Sequence, residues 1–150
     1  MANYIVELRK LVGRRPIIAC AAGVIFIDSE GRILLQQRTD NGLWAVPGGA
    51  TELGERLEDT AAREAFEEVG LTCRTLEFFK IFSGPEMYLR YPNGDEGYVV
   101  SAVYICRDYS GEITPCPREV KQVAFFSKAE LPAESETNPP DQVILRAFVK

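Results

Sequence analysis

The sequence predicts a single domain of the α/β or α+β class, in which a mixed β-sheet is covered by two or three helices. The chain has 150 residues, the length of one compact domain, and 46% of them are hydrophobic. β-rich segments are interspersed with segments whose apolar residues recur at helical spacing. With no internal repeat or low-complexity tract, these features favour one layered domain over residues 1–150.

The first quarter of the chain is predicted to form a helix followed by a hairpin. Residues 1–13 contain apolar side chains at three- and four-residue spacing, which indicates a short amphipathic helix. Residues 17–27 and 33–38 are rich in β-formers and flank a turn-like segment at 28–31. This pattern predicts that the two strands pair as a β-hairpin.

The next segment is predicted to lead from a short strand into the central helix. The strand is expected at 43–46, after which Pro47-Gly48-Gly49 should break regular structure. The pattern over 56–69 predicts a helix, and Gly70 is expected to end it as the first residue beyond the last turn.

The second half of the chain is predicted to be mostly strands. Strands are expected at 74–83, 97–107 and 120–127, with a tight turn at 91–96 before the second of them. A last short helix is predicted at roughly 141–149, after a Pro- and acid-rich connection.

Composition excludes several classes of function. The chain has no histidine, which excludes Ser-His-Asp triads, Cys-His pairs and His-ligated zinc sites. The net charge is −5, which argues against a nucleic-acid polymer or an anionic membrane as the partner. The four cysteines form no C-x-x-C pair, and Cys20, Cys73 and Cys106 are predicted to be free, buried thiols on strands. With neither a signal-like N-terminus nor a membrane-length apolar run, the protein is expected to be cytoplasmic.

Three carboxylates in the predicted central helix are the main chemical feature. At about 100° per residue, Glu64, Glu67 and Glu68 share one helix face about 100° wide. Like charges at this spacing repel by a few tenths of a kcal/mol per pair, whereas Mg²⁺ and Mn²⁺ prefer carboxylate and water oxygens. The helix alone fits a solvated acidic face as well as a metal site.

The flanking loop distinguishes these alternatives. Paired glycines at 48 and 49 let the backbone approach a metal or ligand closely. The segment 49–71, GATELGERLEDTAAREAFEEVGL, resembles the Nudix box G-x5-E-x7-R-E-U-x-E-E-x-G-U, where U is aliphatic. The matching residues are Gly49, Glu55, Arg63, Glu64, Glu67, Glu68, Gly70 and Leu71. Ala65 departs from the pattern at the first U position. The smaller side chain is expected to alter the packing of the helix without removing the catalytic activity.

The resemblance implies an α/β/α sandwich with a central mixed sheet. It also implies metal-dependent hydrolysis of the pyrophosphate bond in a nucleoside diphosphate linked to another moiety, of the ADP-ribose or nucleotide-sugar type. A MutT-like nucleoside triphosphate pyrophosphohydrolase is the alternative within this class. A Nudix-fold nucleotide sensor or interaction module is the alternative of another class, and the complete set of box glutamates argues against it. The expected partner is a small nucleotide, and a homodimer is compatible with the sequence.

The resemblance also assigns roles to individual residues. The implied ligands of Mg²⁺ or Mn²⁺ are Glu64, Glu67, Glu68, the main-chain carbonyl of Gly48 and, before the last strand, Glu119. Glu64 is additionally a candidate general base. Arg63 is expected to orient the glutamates, and Gly49, Glu55 and Gly70 to have structural roles in the motif.

Four residues are predicted to bind substrate: Arg38, Trp44, Glu52 and Tyr88. An arginine at a strand end also fits an ordinary surface position, and a lone tryptophan on a half-buried strand fits the core better than a stacking site. Tyr91 and Tyr98 lie near the same predicted turn as Tyr88. By analogy with Nudix subfamilies, Pro85 favours ADP-ribose and Tyr88 favours dinucleoside polyphosphates, so the substrate is not decided.

Overall fold

The computed structural model describes residues 3–150 and confirms a mixed α/β architecture. The first two residues of the predicted helical segment 1–13 lie outside the described residues. Within the described part the helices are α1 (Asn3–Val12), α2 (Leu57–Val69) and α3 (Pro139–Phe148), with short 3₁₀ turns at Pro85–Met87, Lys128–Glu130 and Glu134–Glu136. The strands are β1 (Ile17–Phe26), β2 (Ile33–Arg38), β3 (Trp44–Ala45), β4 (Gly48–Ala50), β5 (Thr72–Cys73), β6 (Glu77–Phe82), β7 (Tyr88–Arg90), β8 (Glu96–Cys106), β9 (Tyr109–Ser110) and β10 (Val120–Phe126).

The strands form two main sheets. The larger has the order β4-β1-β8-β6, and β7 pairs with the beginning of β8. β1 and β8 run parallel from the Ile17–Gly97 pair to the Phe26–Cys106 pair, while the other pairings in this sheet are antiparallel. The smaller sheet has the antiparallel order β10-β2-β3, and β5 pairs with β9 in a two-stranded ribbon.

Hydrophobic residues on the two faces of β1 build two separate cores. Val24 and Phe26 pack with α2, whose alanines allow the helix to lie close to the sheet. Ile25 packs on the other face with residues of β2 and with Ile144 and Leu145 of α3. The small sheet contributes to both cores, since Leu34 of β2 packs with α2 while Ile33 and Leu35 pack with α3. The sheets therefore lie between α2 on one side and α3 on the other, which is an α/β/α sandwich.

The predicted hairpin of residues 17–27 and 33–38 is wrong. β1 pairs with β4 and β8, β2 pairs with β3 and β10, and the two strands meet only at an isolated bridge between Ile27 and Ile33. The turn at 28–31 does form, with Asp28 accepting hydrogen bonds from the N–H groups of Glu30 and Arg32. Because both strands carry runs buried on both faces, each needs its own neighbours in a sheet.

The predicted break at Pro47-Gly48-Gly49 is also partly wrong, because Gly48–Ala50 forms strand β4. β4 pairs antiparallel with β1 through Gly49 and Ala22. A Cβ atom on Gly48 would lie 2.6 Å from the carbonyl oxygen of Ala22, so glycine permits this close strand approach. The two glycines thus act as a tightly packed edge strand.

Other sequence expectations need smaller corrections. The strand predicted at 74–83 is divided into β5 and β6, and α3 begins at Pro139, where a proline at the first helical turn is favourable. Cys106 is buried and Cys73 is half-buried, but Cys20 is exposed. All four cysteines are free thiols. None of the helices in the described residues has the length and apolarity needed to cross a membrane.

Candidate active site

Helix α2 carries two buried carboxylates on adjacent turns. It ends at Gly70, whose left-handed conformation (φ 82°) lets its N–H donate to the carbonyl of Phe66. Glu64 is 4% exposed and Glu68 is 6% exposed. Oxygens of these two side chains and of Glu119 all lie within 4.8 Å of one another.

Glu119 reaches α2 because the loop before β10 is hydrogen-bonded to the end of the helix. The N–H of Thr114 donates to Val69 at 2.7 Å, and the N–H of Cys116 donates to the carbonyl of Glu68 at 2.9 Å. Glu119 then donates its own N–H to the Cys116 carbonyl. A carboxylate 51 positions from Glu68 in the chain is thereby brought beside it.

The charges in this three-carboxylate group are strongly unfavourable without a cation. Burial, and then the neighbouring charge of Glu64, raises the pKa of Glu68 to about 8, although the Gly48 N–H donates to its Oε1 at 2.8 Å. Burial also raises the pKa of Glu64, against the effect of Arg63. A hard divalent cation would replace repulsion by attraction, and these oxygen donors are the kind that Mg²⁺ and Mn²⁺ bind. The residues therefore fit the metal that the sequence led us to expect.

Arg63 connects the carboxylates of α2 with the loop that precedes the helix. Its Nε and Nη2 donate to the two oxygens of Glu55 at 2.7 and 2.9 Å, and Nη1 donates to Glu64 at 2.9 Å. Nη2 also donates to the carbonyl of Ala50 at 3.2 Å. The hydrogen bond from Arg63 lowers the pKa of Glu55 to about 2. This network holds Glu64 in one orientation and fastens the loop to the helix.

Glu67 is not part of the group of three close carboxylates. Its side chain is 36% exposed, and one oxygen accepts from Arg63 Nη1 at 3.3 Å. Glu67 lies at the edge of the acidic face of α2, where its side chain reaches solvent. For Gly48, the contact that the structure shows is made by its N–H, and ligation by its carbonyl stays a prediction.

Gly49 leaves space for Glu64. A Cβ atom at this position would lie 2.7 Å from both carboxylate oxygens of Glu64, well inside van der Waals contact. Strand β4 and helix α2 therefore meet at a position where only hydrogen fits.

Two adjoining cavities open beside the carboxylates. The larger has a volume of about 380 Å³, and Glu64, Glu68 and Glu119 line it. The smaller, of about 120 Å³, has a mainly apolar lining, in which the polar residues include Gln36, Ser101, Asn138 and Asp141. Both are lined by Arg38, Tyr91 and the backbone of β4, so they share a wall beside the acidic group.

Of the four predicted substrate-binding residues, the structure brings Arg38 to the cavities. Arg38 pairs with Asp40 at 2.6 Å, and its side chain keeps 26% of its surface exposed. Its guanidinium carbon lies 6.0 Å from the centre of the Tyr91 ring. A cation is thereby placed on the wall common to both cavities.

The other three predicted substrate-binding residues do not line either cavity. Trp44 packs edge-to-face on Phe126 at 5.0 Å, as the core interpretation of a lone tryptophan anticipated. Glu52 accepts a hydrogen bond from the Tyr4 N–H at 3.1 Å and so contacts the beginning of α1. Tyr88 donates to a carboxylate oxygen of Glu96 at 3.2 Å. Tyr91 and Tyr98 line the larger cavity instead.

Several residues of the cavities were missed at the sequence level. Asp141 is buried at the beginning of α3 and accepts hydrogen bonds from the Val46 N–H and from Asn138, each at 2.9 Å. Burial raises its pKa to about 6. A helix was predicted from about residue 141, but nothing local indicated that its start faces a cavity. Ile5 and Val6 of α1 were likewise assigned only to a helix that covers the sheet.

The molecule is thus an α/β/α sandwich in which buried carboxylates lie beside a cleft. The family model for the NUDIX domain matches residues 19–148, and the chain belongs to the Nudix hydrolase family.

Relatives of known name agree with this assignment. The chain is 34% identical over 109 residues to the ADP-ribose pyrophosphatase of Methanocaldococcus jannaschii, a match that covers 71% of this chain and 60% of that protein. It is 33% identical over 110 residues to the MutT-like protein of Streptomyces ambofaciens, covering 73% and 64% respectively. The chain thus spans less than two thirds of the length of either relative.

A solved structure shares the fold. The MutT NUDIX hydrolase of Burkholderia pseudomallei superimposes with a TM-score of 0.72 at 24% identity, over 87% of this chain and 98% of that one. Because the matched family domain begins at residue 19, helix α1 lies outside it.

Proposed function

We propose that this protein uses Mg²⁺ or Mn²⁺ to hydrolyse the diphosphate bond of a nucleoside diphosphate linked to another moiety, of the ADP-ribose or nucleotide-sugar type. The observation that carries the proposal is the group formed by Glu64, Glu68 and Glu119 beside two adjoining cavities. The Methanocaldococcus relative named ADP-ribose pyrophosphatase supports it.

Carboxylates are the protein groups that would hold the metal. Glu64, Glu68 and Glu119 are the proposed ligands, with Glu67 and the Gly48 carbonyl as further ones. A bound divalent cation neutralises a diphosphate, activates water and stabilises the departing phosphate. Arg63 keeps Glu64 oriented, which suits that glutamate both as a ligand and as a general base.

Arg38 is placed to meet the negative charge of the substrate. It lies on the wall shared by the two cavities, beside the backbone of β4, where glycines leave room for a phosphate to approach. The partial neutralisation by Asp40 leaves the guanidinium with further donors for a phosphate oxygen. This arrangement supports binding of the diphosphate between the two cavities.

The presence of two cavities favours a substrate with an organic group on each side of its diphosphate. A nucleoside triphosphate has an organic group at one end only. The relative named MutT-like protein nevertheless keeps nucleoside triphosphate hydrolysis as the second candidate function. A nucleotide sensor is the third candidate. Buried, closely spaced glutamates are costly without a cation, which favours a metal-dependent enzyme over a sensor.

A substrate panel tests the proposal. ADP-ribose, nucleotide sugars, dinucleoside polyphosphates and nucleoside triphosphates are incubated with Mg²⁺, with Mn²⁺ or with EDTA, and coupled phosphatase reports each cleavage. We expect metal-dependent turnover of ADP-ribose or a nucleotide sugar at a kcat/KM at least about tenfold above that of any triphosphate. Glu68→Gln should lower kcat about 100-fold or more, the effect of losing several kcal/mol of metal-mediated stabilisation.

Glu58→Gln is the matched control, because Glu58 is an exposed glutamate on the same helix. Its kcat should stay within about twofold of wild type, as expected for a surface substitution. Preferred cleavage of triphosphates would replace the proposal by the MutT-like activity. Nucleotide binding without any turnover would replace it by the sensor.

A further inference from the structure

Helix α1 forms part of the larger cavity although it lies outside the matched family domain. Ile5, Val6 and Arg9 line the cavity from the helix side. Val99 and Tyr98 of β8 also line it. An element outside the matched family domain therefore lines the same cleft as the acidic group.

Arg9 fastens α1 in this position. Its Nη2 donates to the Glu96 carbonyl at 2.7 Å, and its Nη1 donates to the carbonyls of Arg15 and Gly13 at 2.7 and 3.0 Å. Nε lies 3.8 Å from a carboxylate oxygen of Asp95. With only 13% of its side chain exposed, Arg9 connects the helix to the turn between β7 and β8.

The other end of α1 is held near the metal-binding side of the cleft. The Tyr4 N–H donates to Glu52, which belongs to the loop fastened to α2 through Glu55 and Arg63. The helix therefore spans the cleft from the loop before α2 to the β7–β8 turn. Its attachments at both ends fix the position of the side chains between them.

The walls of the larger cavity include apolar surface from both α1 and β8. Val6 is 50% exposed and Tyr98 is 42% exposed, so apolar surface on both elements remains accessible. Its volume of about 380 Å³ is within the range of small-molecule sites. A flat heteroaromatic ring has two apolar faces that suit such walls, and Asn93 and Asp95 at the cavity offer polar groups for its edge.

We propose that α1 is a substrate-positioning element: Ile5 and Val6, together with Tyr98, hold the nucleobase of the substrate, and Arg9 fixes the helix that presents them. The smaller cavity then receives the group at the other end of the diphosphate. The inference rests on the proposed function in taking a nucleotide as the ligand.

Binding of two probes in the presence of Mg²⁺, measured by titration calorimetry, tests the inference without requiring turnover. AMP carries a nucleobase, and ribose 5-phosphate is the same fragment without one. Val6→Ser should raise the Kd of AMP about tenfold through the loss of apolar contact, and leave that of ribose 5-phosphate within about twofold. Because Val6 is half exposed, the variant should fold normally.

Two matched controls lie on the same helix. Leu11 is 85% exposed and does not line the cavity, so Leu11→Ser should leave both Kd values unchanged. Arg9→Gln should raise the Kd of AMP selectively, as Val6→Ser does, whereas Lys10→Gln should leave it unchanged, since Lys10 pairs with Glu7 on the same helix.

The inference would be overturned by wild type that does not bind AMP, by Val6→Ser that binds AMP as wild type does, or by equal weakening of both probes. Leu11→Ser weakening AMP as much as Val6→Ser would overturn it as well. A protein that binds AMP through Val6 but hydrolyses nothing in the panel would instead contradict the proposed function alone.

Discussion

At the scale of single residues, burial of ionisable groups distinguishes this molecule. Glu64 and Glu68 are almost fully buried next to each other, and Arg63 compensates only one of them directly. Asp141, at the other side of the cleft, is buried with hydrogen bonds from Val46 and Asn138. Clusters of this kind are costly to stability and are typical of sites that bind a charged ligand.

Asp141 should make stability depend on pH. Its pKa in the folded protein is about 6, against 3.8 as the ordinary value, because burial disfavours the charged form. Between these values the folded state binds more protons than the unfolded state, so stability falls as pH rises from about 4 to about 6. We expect the unfolding free energy of wild type, relative to Asp141→Asn, to fall by about 3 kcal/mol across this window.

Urea denaturation of both proteins at a series of pH values measures this difference. The asparagine can still accept from the Val46 N–H through its side-chain oxygen, so it is a conservative reference. Parallel stability curves for the two proteins would show that Asp141 does not titrate in this range.

At the scale of elements, the contact between β4 and α2 sets the geometry of the carboxylates. β4 is held against β1 by close backbone packing at Gly48, and Gly49 faces the carboxylate of Glu64. The helix in turn is held by apolar packing of its alanines on β1. The orientation of Glu64 therefore depends on the absence of a side chain at position 49.

Gly49→Ala tests whether activity depends on the space that this glycine leaves for the carboxylate of Glu64. The added methyl group would displace Glu64, and we expect kcat to fall at least about tenfold, together with a loss of stability of about 1–3 kcal/mol from overpacking. Gly54→Ala is the control, because Gly54 has φ +78° with open space around its Cβ position. It should lose about 1 kcal/mol through strain and keep its kcat.

Steady-state kinetics and equilibrium unfolding of both variants provide the measurement. Wild-type kcat in Gly49→Ala would refute the link between this glycine and Glu64. An equal fall in kcat in the two variants would indicate that general destabilisation, and not displacement of Glu64, lowers the activity of Gly49→Ala.

At the scale of the whole molecule, the acidic group joins the two main parts of the fold. Glu64 and Glu68 belong to α2, which packs on the large sheet, and Glu119 immediately precedes β10 of the small sheet. A cation bound by all three would connect these parts and bind the folded state only. Metal binding is therefore expected to stabilise the entire domain.

Mn²⁺ should raise the melting temperature relative to EDTA. At a Mn²⁺ concentration about 100 times the Kd, linkage predicts about 2.7 kcal/mol of stabilisation, or roughly 5–10 °C for a domain of this size. The shift should persist in Glu58→Gln and disappear in Glu68→Gln, as followed by differential scanning fluorimetry. An unchanged shift in Glu68→Gln would locate the stabilising metal elsewhere.

Structural features that depend on residues close together in the chain were predictable from the sequence. The limits of α2, its end at Gly70 and the common face of Glu64 and Glu68 follow from helical periodicity and from a glycine that adopts positive φ without strain. These features depend on the local chain, so the sequence alone carried enough information for them.

The sequence by itself determined an α/β domain of the Nudix family with an acidic helix at its centre. Only the tertiary structure decided that β1 pairs in parallel with β8, that Glu67 lies outside the close group of carboxylates, and that α1 lines the cleft. The physical reason is that strands buried on both faces carry no alternation to indicate partner or register. Contacts between distant residues are selected by packing of the whole chain, which no local pattern records.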